Sequence, residues 1–259
     1  MTGLKQFSLG IKTWSEATRF IFKNKLGWTF LVPIAMTIIL FIIGHAAING
    51  LIDNLKELIL GWLNVDAGGF LSGLIGFALK VAFHLLSFFI YIYVIGFLVI
   101  VLMSPLLSFL SEKTEKIITG NEYKTSFAET LKDITRGIGL AFRNLVLELL
   151  SLFLLFIPVI GWLAVFIISA YFYGFSFIDL NNERQRLNIR ESTAVVRKFK
   201  WLAIGNGIIF SLALIIPFFK FFIPFFASII AVVAATIAMH KTDAYKGIKD
   251  SKVVMKPTV

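Results

Sequence analysis

The residues of this chain able to do chemistry are charged side chains and helix ends set inside apolar sequence. Lys220 lies between Pro217 and Pro224, in a run (218–226) that holds six phenylalanines. An ammonium there is costly at membrane depth unless it faces water, an acid or a ligand; the alternative is that it sits at the outer surface. Beyond the proline breaks, new helices are expected to start at Gly161–Trp162 and at Pro224–Phe225. Unpaired N–H groups at such starts carry about half a positive charge, which suits an anion. Lys80 and His84 are four residues apart and share a helix face, with Glu148 a candidate partner. They read either as a proton-sensitive gate or as a snorkelling lysine beside a histidine that bonds a carbonyl. Asp179 is expected to pair with Arg184 or Arg186. Arg186, Arg190 and Arg197 fall at i, i+4 and i+11, a basic stripe that collects anions or touches anionic lipid. Lys23 and Lys25 add charge just ahead of the first apolar span.

Catalysis finds no such constellation. His45, His84 and His240 are far apart, and no His-Glu-x-x-His, Gly-x-Ser-x-Gly or phosphate-loop pattern occurs. The absence of cysteine removes thiol nucleophiles and thiol metal sites. The expectation is therefore no enzyme, no cofactor, no metal and no nucleic-acid partner.

The elements that position these residues follow from composition. Of 259 residues, 58% are apolar or aromatic and 15% charged, with 28 phenylalanines and a net charge of +10. A soluble core of this size could not absorb that surplus, so it must face lipid in an all-α, polytopic membrane protein. The chain is read as a single membrane domain. Residues 1–26 are too polar for a signal peptide and are expected to remain in the mature protein. At about 100° per residue they place Lys5, Lys12, Arg19 and Lys23 on one face, with Phe7, Ile11, Trp14 and Ile21 opposite. Such a helix lies on anionic lipid or packs on the rest of the protein, and the clean basic stripe favours lipid. Residues 27–48 form one span, and 68–110 a long one that must project or break. Gly69 and Gly73 within it are spaced for close helix contact or oligomerisation.

The stretches 111–144, 181–200 and 240–259 hold six, six and five Lys or Arg, against one Lys and three acids in 49–66. The positive-inside bias places the first three and the N-terminus in the cytoplasm and 49–66 outside. Segments 145–178 and 201–239 must then begin and end inside, each as a hairpin. Their apolar arms number 13, 17, 16 and 15 residues, which favours re-entry over full crossing of a ~30 Å core.

The sequence also resembles the CysZ sulfate permeases, which share a fold family with etoposide-induced membrane proteins. The resemblance covers nearly the whole chain. It is carried by Leu31-Val32-Pro33 after the basic helix, Ser104-Pro105-Leu106-Leu107 with Leu110-Ser111-Glu112 and Thr119-Gly120, Phe156-Ile157-Pro158-Val159-Ile160-Gly161, Asp179 and Ile216-Pro217. It implies two long transmembrane helices and two short, re-entrant hairpins in a homo-oligomeric bacterial inner-membrane protein. Its implied function is to pass sulfate inward for cysteine synthesis. Relatives share a Gly-Leu-Arg-like or Gly-Ile-Arg-Arg stretch before the first span, with arginines associated with sulfate. The matching positions here read Lys25-Leu26-Gly27-Trp28, without either arginine. A lysine lacks the bidentate fork that fits an oxyanion, so weaker sulfate binding is expected. A non-transporting, lipid-organising scaffold of the same fold is the alternative function.

Overall fold

The computed structural model describes residues 1–40, 42, 77, 81, 102–120, 127–158, 160–216, 222–242 and 244–245. The expectations for Lys80, His84, Lys220, the Gly69/Gly73 pair, the 49–66 stretch and most of the 68–110 span lie outside these residues. All regular structure among the described residues is helical, and the chain is an all-α membrane protein. It divides into two compact units, Met1–Thr29 with Pro105–Val259, and Phe30–Ser104. In the second, residues 31–40 are helical and leave Leu31, Ile34, Ile38 and Ile39 exposed. With no water to receive polar groups in lipid, a helix that satisfies its own backbone and presents aliphatic side chains is the stable form.

The first unit contains α1 (Gly3–Lys23), a helical stretch at 105–119, α2 (Phe127–Ser151), α3 (Ile160–Arg184), α4 (Ile189–Lys198), α5 (Lys200–Ile215) and α6 (Ile223–Lys241). At its centre is α6, where Ala231, Val232, Val233, Ala234 and Ala235 are fully buried and α1, α3 and α5 pack around them. Small residues let these backbones approach. A Cβ built on Gly207 would collide with the Ala170 carbonyl, and one on Gly174 with the Ala203 carbonyl, so α3 and α5 meet backbone to backbone. On the other side of α5, a Cβ on Gly10 would lie 2.5 Å from the Leu202 carbonyl oxygen, which fixes the crossing of α1. Membrane helices gain little from apolar burial against one another, so such close packing supplies much of their attraction. Asn206, fully buried on α5, adds a polar clamp. Its Oδ1 accepts from Trp14 Nε1 of α1 at 2.6 Å, and its Nδ2 donates to the Ala231 carbonyl of α6 at 3.1 Å.

One face of α1 thus takes the second of the two placements expected for this helix, packing on the rest of the protein, and its basic face is left open. Gln6, Gly10, Thr13, Ala17 and Ile21 form its buried face against α5 and α6, whereas Lys5, Lys12, Arg19 and Lys23 remain exposed. The packing face is made of small residues, which an apolar count overlooks.

The helices also outrun the apolar arms. Residues 135–156, Ile160–Arg184 and Ile223–Lys241 are 22, 25 and 19 residues long and apolar enough to cross, roughly 33, 37 and 28 Å at ~1.5 Å per residue. Polar residues at the arm ends continue the helix instead of ending it, so for these three, length alone admits full crossing as readily as re-entry. Between them, α4 and α5 meet at a bend of 85°.

Candidate functional site

The polar end of α3 organises two buried ion networks. Asp179, one turn before that end, receives a two-pronged bond from Arg136 of α2, Nη2 to Oδ1 at 2.7 Å and Nη1 to Oδ2 at 3.1 Å. The Ser192 hydroxyl of α4 also donates to Asp179 Oδ1. Arg136 spends its Nε on the Leu187 carbonyl at 2.7 Å, and Glu183 stands 3.8 Å from its Nη1. Asn182 donates to Ser192 Oγ at 2.9 Å and accepts from the Tyr245 hydroxyl at 2.8 Å. One carboxylate thus joins α2, α3 and α4.

The second network centres on Glu115 in the 105–119 helix, of which 1% is exposed. Its carboxylate accepts from Arg184 Nε at 2.9 Å and Gln185 Nε2 at 3.0 Å, and His240 Nε2 of α6 lies 3.6 Å away. Arg184 Nη2 reaches Asn181 Oδ1 at 2.6 Å, and Ser111 contacts Asn181 and Thr236. A charge taken out of water is tolerable only when matched, and bidentate guanidinium–carboxylate geometry is the strong form of that match. Electrostatically, both buried carboxylates are cancelled, and neither presents a bare negative field to an anion.

A third arginine is placed differently. Arg143, two turns along α2 from Arg136, donates from Nη1 to Thr193 Oγ1 of α4 at 2.7 Å and from Nη2 to Asn144 Oδ1 at 3.1 Å. Its guanidinium lies over the Phe175 ring at 5.5 Å from the centroid. Among the described residues no carboxylate pairs with it.

The residues singled out in the sequence are distributed as follows. Asp179 pairs with Arg136 and not with Arg184 or Arg186, and Arg184 pairs with Glu115. The stripe Arg186–Arg190–Arg197 is broken, because α4 begins only at Ile189. Asn188 and Glu191 form a reciprocal capping box there, and Arg186 belongs to the preceding turn. Arg190 and Arg197 are exposed on α4.

Two of the amides at the expected helix starts are occupied: Gly161 N–H donates to the Ile157 carbonyl at 3.0 Å and Phe225 N–H to the Phe222 carbonyl at 3.1 Å. Gly161 instead has a packing role, as a Cβ there would strike the Leu154 carbonyl. Trp162 points outward, 71% exposed, beside exposed Ile160 and Leu163. Glu148 is half-buried, and the partners expected for it lie outside the described residues.

Lys23 and Lys25 are exposed at the end of α1. Lys25 adopts φ 58°, Leu26 N–H bonds the Ile21 carbonyl at 2.8 Å and Lys25 N–H the Phe22 carbonyl at 3.2 Å, which together form a Schellman cap. The end of α3 repeats it. Arg186 has φ 58°, with Leu187 N–H on the Asn182 carbonyl and Arg186 N–H on that of Glu183.

Sequence reasoning missed Glu115, Arg136, Arg143, Asn144 and Ser192. The available signal was the seven-residue spacing of Arg136 and Arg143, which puts two arginines on one face of a helix that continues into apolar sequence.

Comparison with known proteins completes the site. A family model described as sulfate transporter CysZ/etoposide-induced protein 2.4 matches residues 13–224. A curated relative, sulfate transporter CysZ of Pseudomonas paraeruginosa, is 26% identical over 215 residues, covering 78% of this chain and 84% of the relative. The protein of the same name from Pseudomonas fluorescens is 26% identical over 216 residues, covering 78% and 82%.

Proposed function

The chain belongs to the sulfate transporter CysZ/etoposide-induced protein 2.4 family, and from that premise we propose that it is a permease for sulfate or a similar small oxyanion. In this reading it works in a bacterial inner membrane and runs inward, supplying sulfate for assimilation and cysteine synthesis. The observation that carries the reading is the family match, which takes in Glu115, Arg136, Arg143, Asp179 and Arg184. Physical chemistry supports it. An anion in low dielectric is repelled by a bare carboxylate and held by guanidinium groups, and here both buried carboxylates are matched while Arg143 is not.

The orientation proposed is that of the charge bias, with both termini, 111–144 and 181–200 cytoplasmic and 49–66 external. Impermeant labelling of single cysteines introduced into this cysteine-free chain tests it: labelling at position 190 from outside overturns the scheme. The exposed stripe of Lys5, Lys12, Arg19 and Lys23 suits anionic headgroups, and a homo-oligomer suits the exposed apolar turn at Phe153, Phe156 and Trp162. Lys23 and Lys25 act by long-range attraction, which salt screens within about 10 Å at 0.1 M.

The deciding experiment is radiolabelled sulfate uptake in a host without sulfate permeases of its own. The intact chain is compared with the Lys23→Ala, Lys25→Ala double variant. Uptake by the intact chain that falls with ionic strength, and falls further in the variant, is expected. No uptake by membrane-inserted protein defeats the reading and leaves the lipid-organising scaffold in its place.

A further inference from the structure

Arg143 and Asn144 hold two buried donors for which no described residue is an acceptor. Arg143 Nε and Asn144 Nδ2 are both shielded from solvent and both lack a hydrogen-bond partner. They belong to one arrangement, because Arg143 Nη2 donates to Asn144 Oδ1 at 3.1 Å, so the orphan donors flank a single hydrogen bond. Asn144 is 6% exposed, and its amide orientation is set by that bond, which consumes the oxygen and turns the NH2 outward from it. The guanidinium is held from two other sides. Thr193 accepts from Nη1 at 2.7 Å while its own hydroxyl donates to the Ile189 carbonyl at 2.6 Å, and the Phe175 ring, itself 1% exposed, lies beneath.

Charge makes the site asymmetric. Arg136 and Arg184, the other arginines of the buried layer, each meet a carboxylate within 2.9 Å. Arg143 meets none among the described residues, and the acid on the facing helix, Glu191, is engaged by the Asn188 amide in the cap of α4. Arg190 and Arg197 stand three residues before and four after Thr193, on its face of α4. An unmatched guanidinium whose Nε is unpaired, beside a second unpaired donor on Asn144, is an arrangement that a protein keeps at a cost unless a ligand completes it.

We propose that Arg143 Nε and Asn144 Nδ2 bind a tetrahedral oxyanion between α2 and α4. Two free N–H donors beside a full positive charge offer what the oxygens of a small oxyanion such as sulfate or phosphate accept. The same chemistry is offered by free sulfate and by the phosphate of an anionic lipid. The identity of the free ligand rests on the permease reading; the site itself does not.

The full chain, purified in detergent, is assayed for equilibrium binding of radiolabelled sulfate and, by native mass spectrometry, for phosphatidylglycerol retained from vesicles. Asn144→Asp is the informative variant. It keeps an acceptor for Arg143 Nη2 and gives the guanidinium a carboxylate, so the fold is preserved while an anion is repelled. Arg143→Lys keeps the charge and removes Nε. Sulfate affinity falling by about tenfold or more in both variants identifies free sulfate as the occupant. Unchanged sulfate affinity with loss of retained phosphatidylglycerol identifies the lipid phosphate. Asn144→Asp protein that melts no lower than the parent, yet binds both ligands as before, overturns the site. Sulfate uptake by the parent is measured in parallel: uptake with unaltered binding in the variants removes this site alone, whereas binding without uptake keeps the site and removes the permease reading.

Discussion

Removing either half of the Arg136–Asp179 pair should destabilise the protein, and by unequal amounts. Breaking a buried ion pair from one side costs about 3–5 kcal/mol, because the survivor is left charged and unmatched. After Asp179→Asn, Arg136 keeps the Leu187 carbonyl at 2.7 Å and has Glu183 at 3.8 Å as a second, partly exposed counter-charge. The loss should therefore lie near the lower limit, about 3 kcal/mol. After Arg136→Gln, Asp179 retains the Ser192 hydroxyl, no described residue offers it another cation, and the Leu187 carbonyl loses its donor. That loss should approach about 5 kcal/mol. At roughly 2–4 °C per kcal/mol for a chain of this size, the first variant should melt about 6–12 °C below the parent, and the second lower still. The double variant removes both charges and should cost less than the two singles together by about 2–3 kcal/mol. Tryptophan-monitored thermal melts of the four proteins in one detergent complete the cycle. Additive losses, or a greater loss from Asp179→Asn than from Arg136→Gln, would show that the two side chains do not stabilise the fold as a matched buried pair.

Further substitutions test the glycines and the helix caps by the same melts. Gly174→Ala drives a methyl into the Ala203 carbonyl between α3 and α5 and should cost about 1–3 kcal/mol, whereas Gly137→Ala, with nothing within 4 Å of the added Cβ, should stabilise by about 0.5–1 kcal/mol. Gly161→Ala should destabilise comparably to Gly174→Ala through the Leu154 carbonyl, while leaving the Arg143 site intact, so sulfate binding by folded protein should not change. Lys25→Gly relieves a left-handed backbone at φ 58° and should stabilise by about 1 kcal/mol after the entropy of glycine in the unfolded chain is counted; equal or lower melting would show that the cap is not strained.

What the sequence disclosed and what it concealed divide along physical lines. Membrane class, helical content and family were readable because long apolar runs and local motifs such as Phe156-Ile157-Pro158 are properties of neighbouring residues. The capping box at Asn188 and Glu191 is equally local, and it ends any helical stripe that begins at Arg186. Partner choice is not local. Asp179 lies five residues from Arg184 but pairs with Arg136, 43 residues away, because at the end of α3 the Arg184 side chain is directed toward Glu115, 69 residues away, in the 105–119 helix. Nor does periodicity reveal a packing face made of Gly10, Thr13 and Ala17, since small residues contribute little to an apolar count yet decide how closely two backbones approach.

The same non-locality bears on where an anion can be held. Charges and helix starts read along the chain point to Lys23, Lys25, Gly161 and Phe225, but the two lysines are exposed and the Gly161 and Phe225 amides are spent on turn carbonyls. Which cation remains available is settled only after each carboxylate has taken its arginine. Asp179 takes Arg136 and Glu115 takes Arg184; Arg143 then remains, fixed by Thr193, Asn144 and Phe175 and still holding a donor to spare. In an apolar protein the place open to an oxyanion depends on how the other charges pair, and among the described buried arginines it is Arg143, not a residue where positive charge is densest in the sequence, that has no carboxylate.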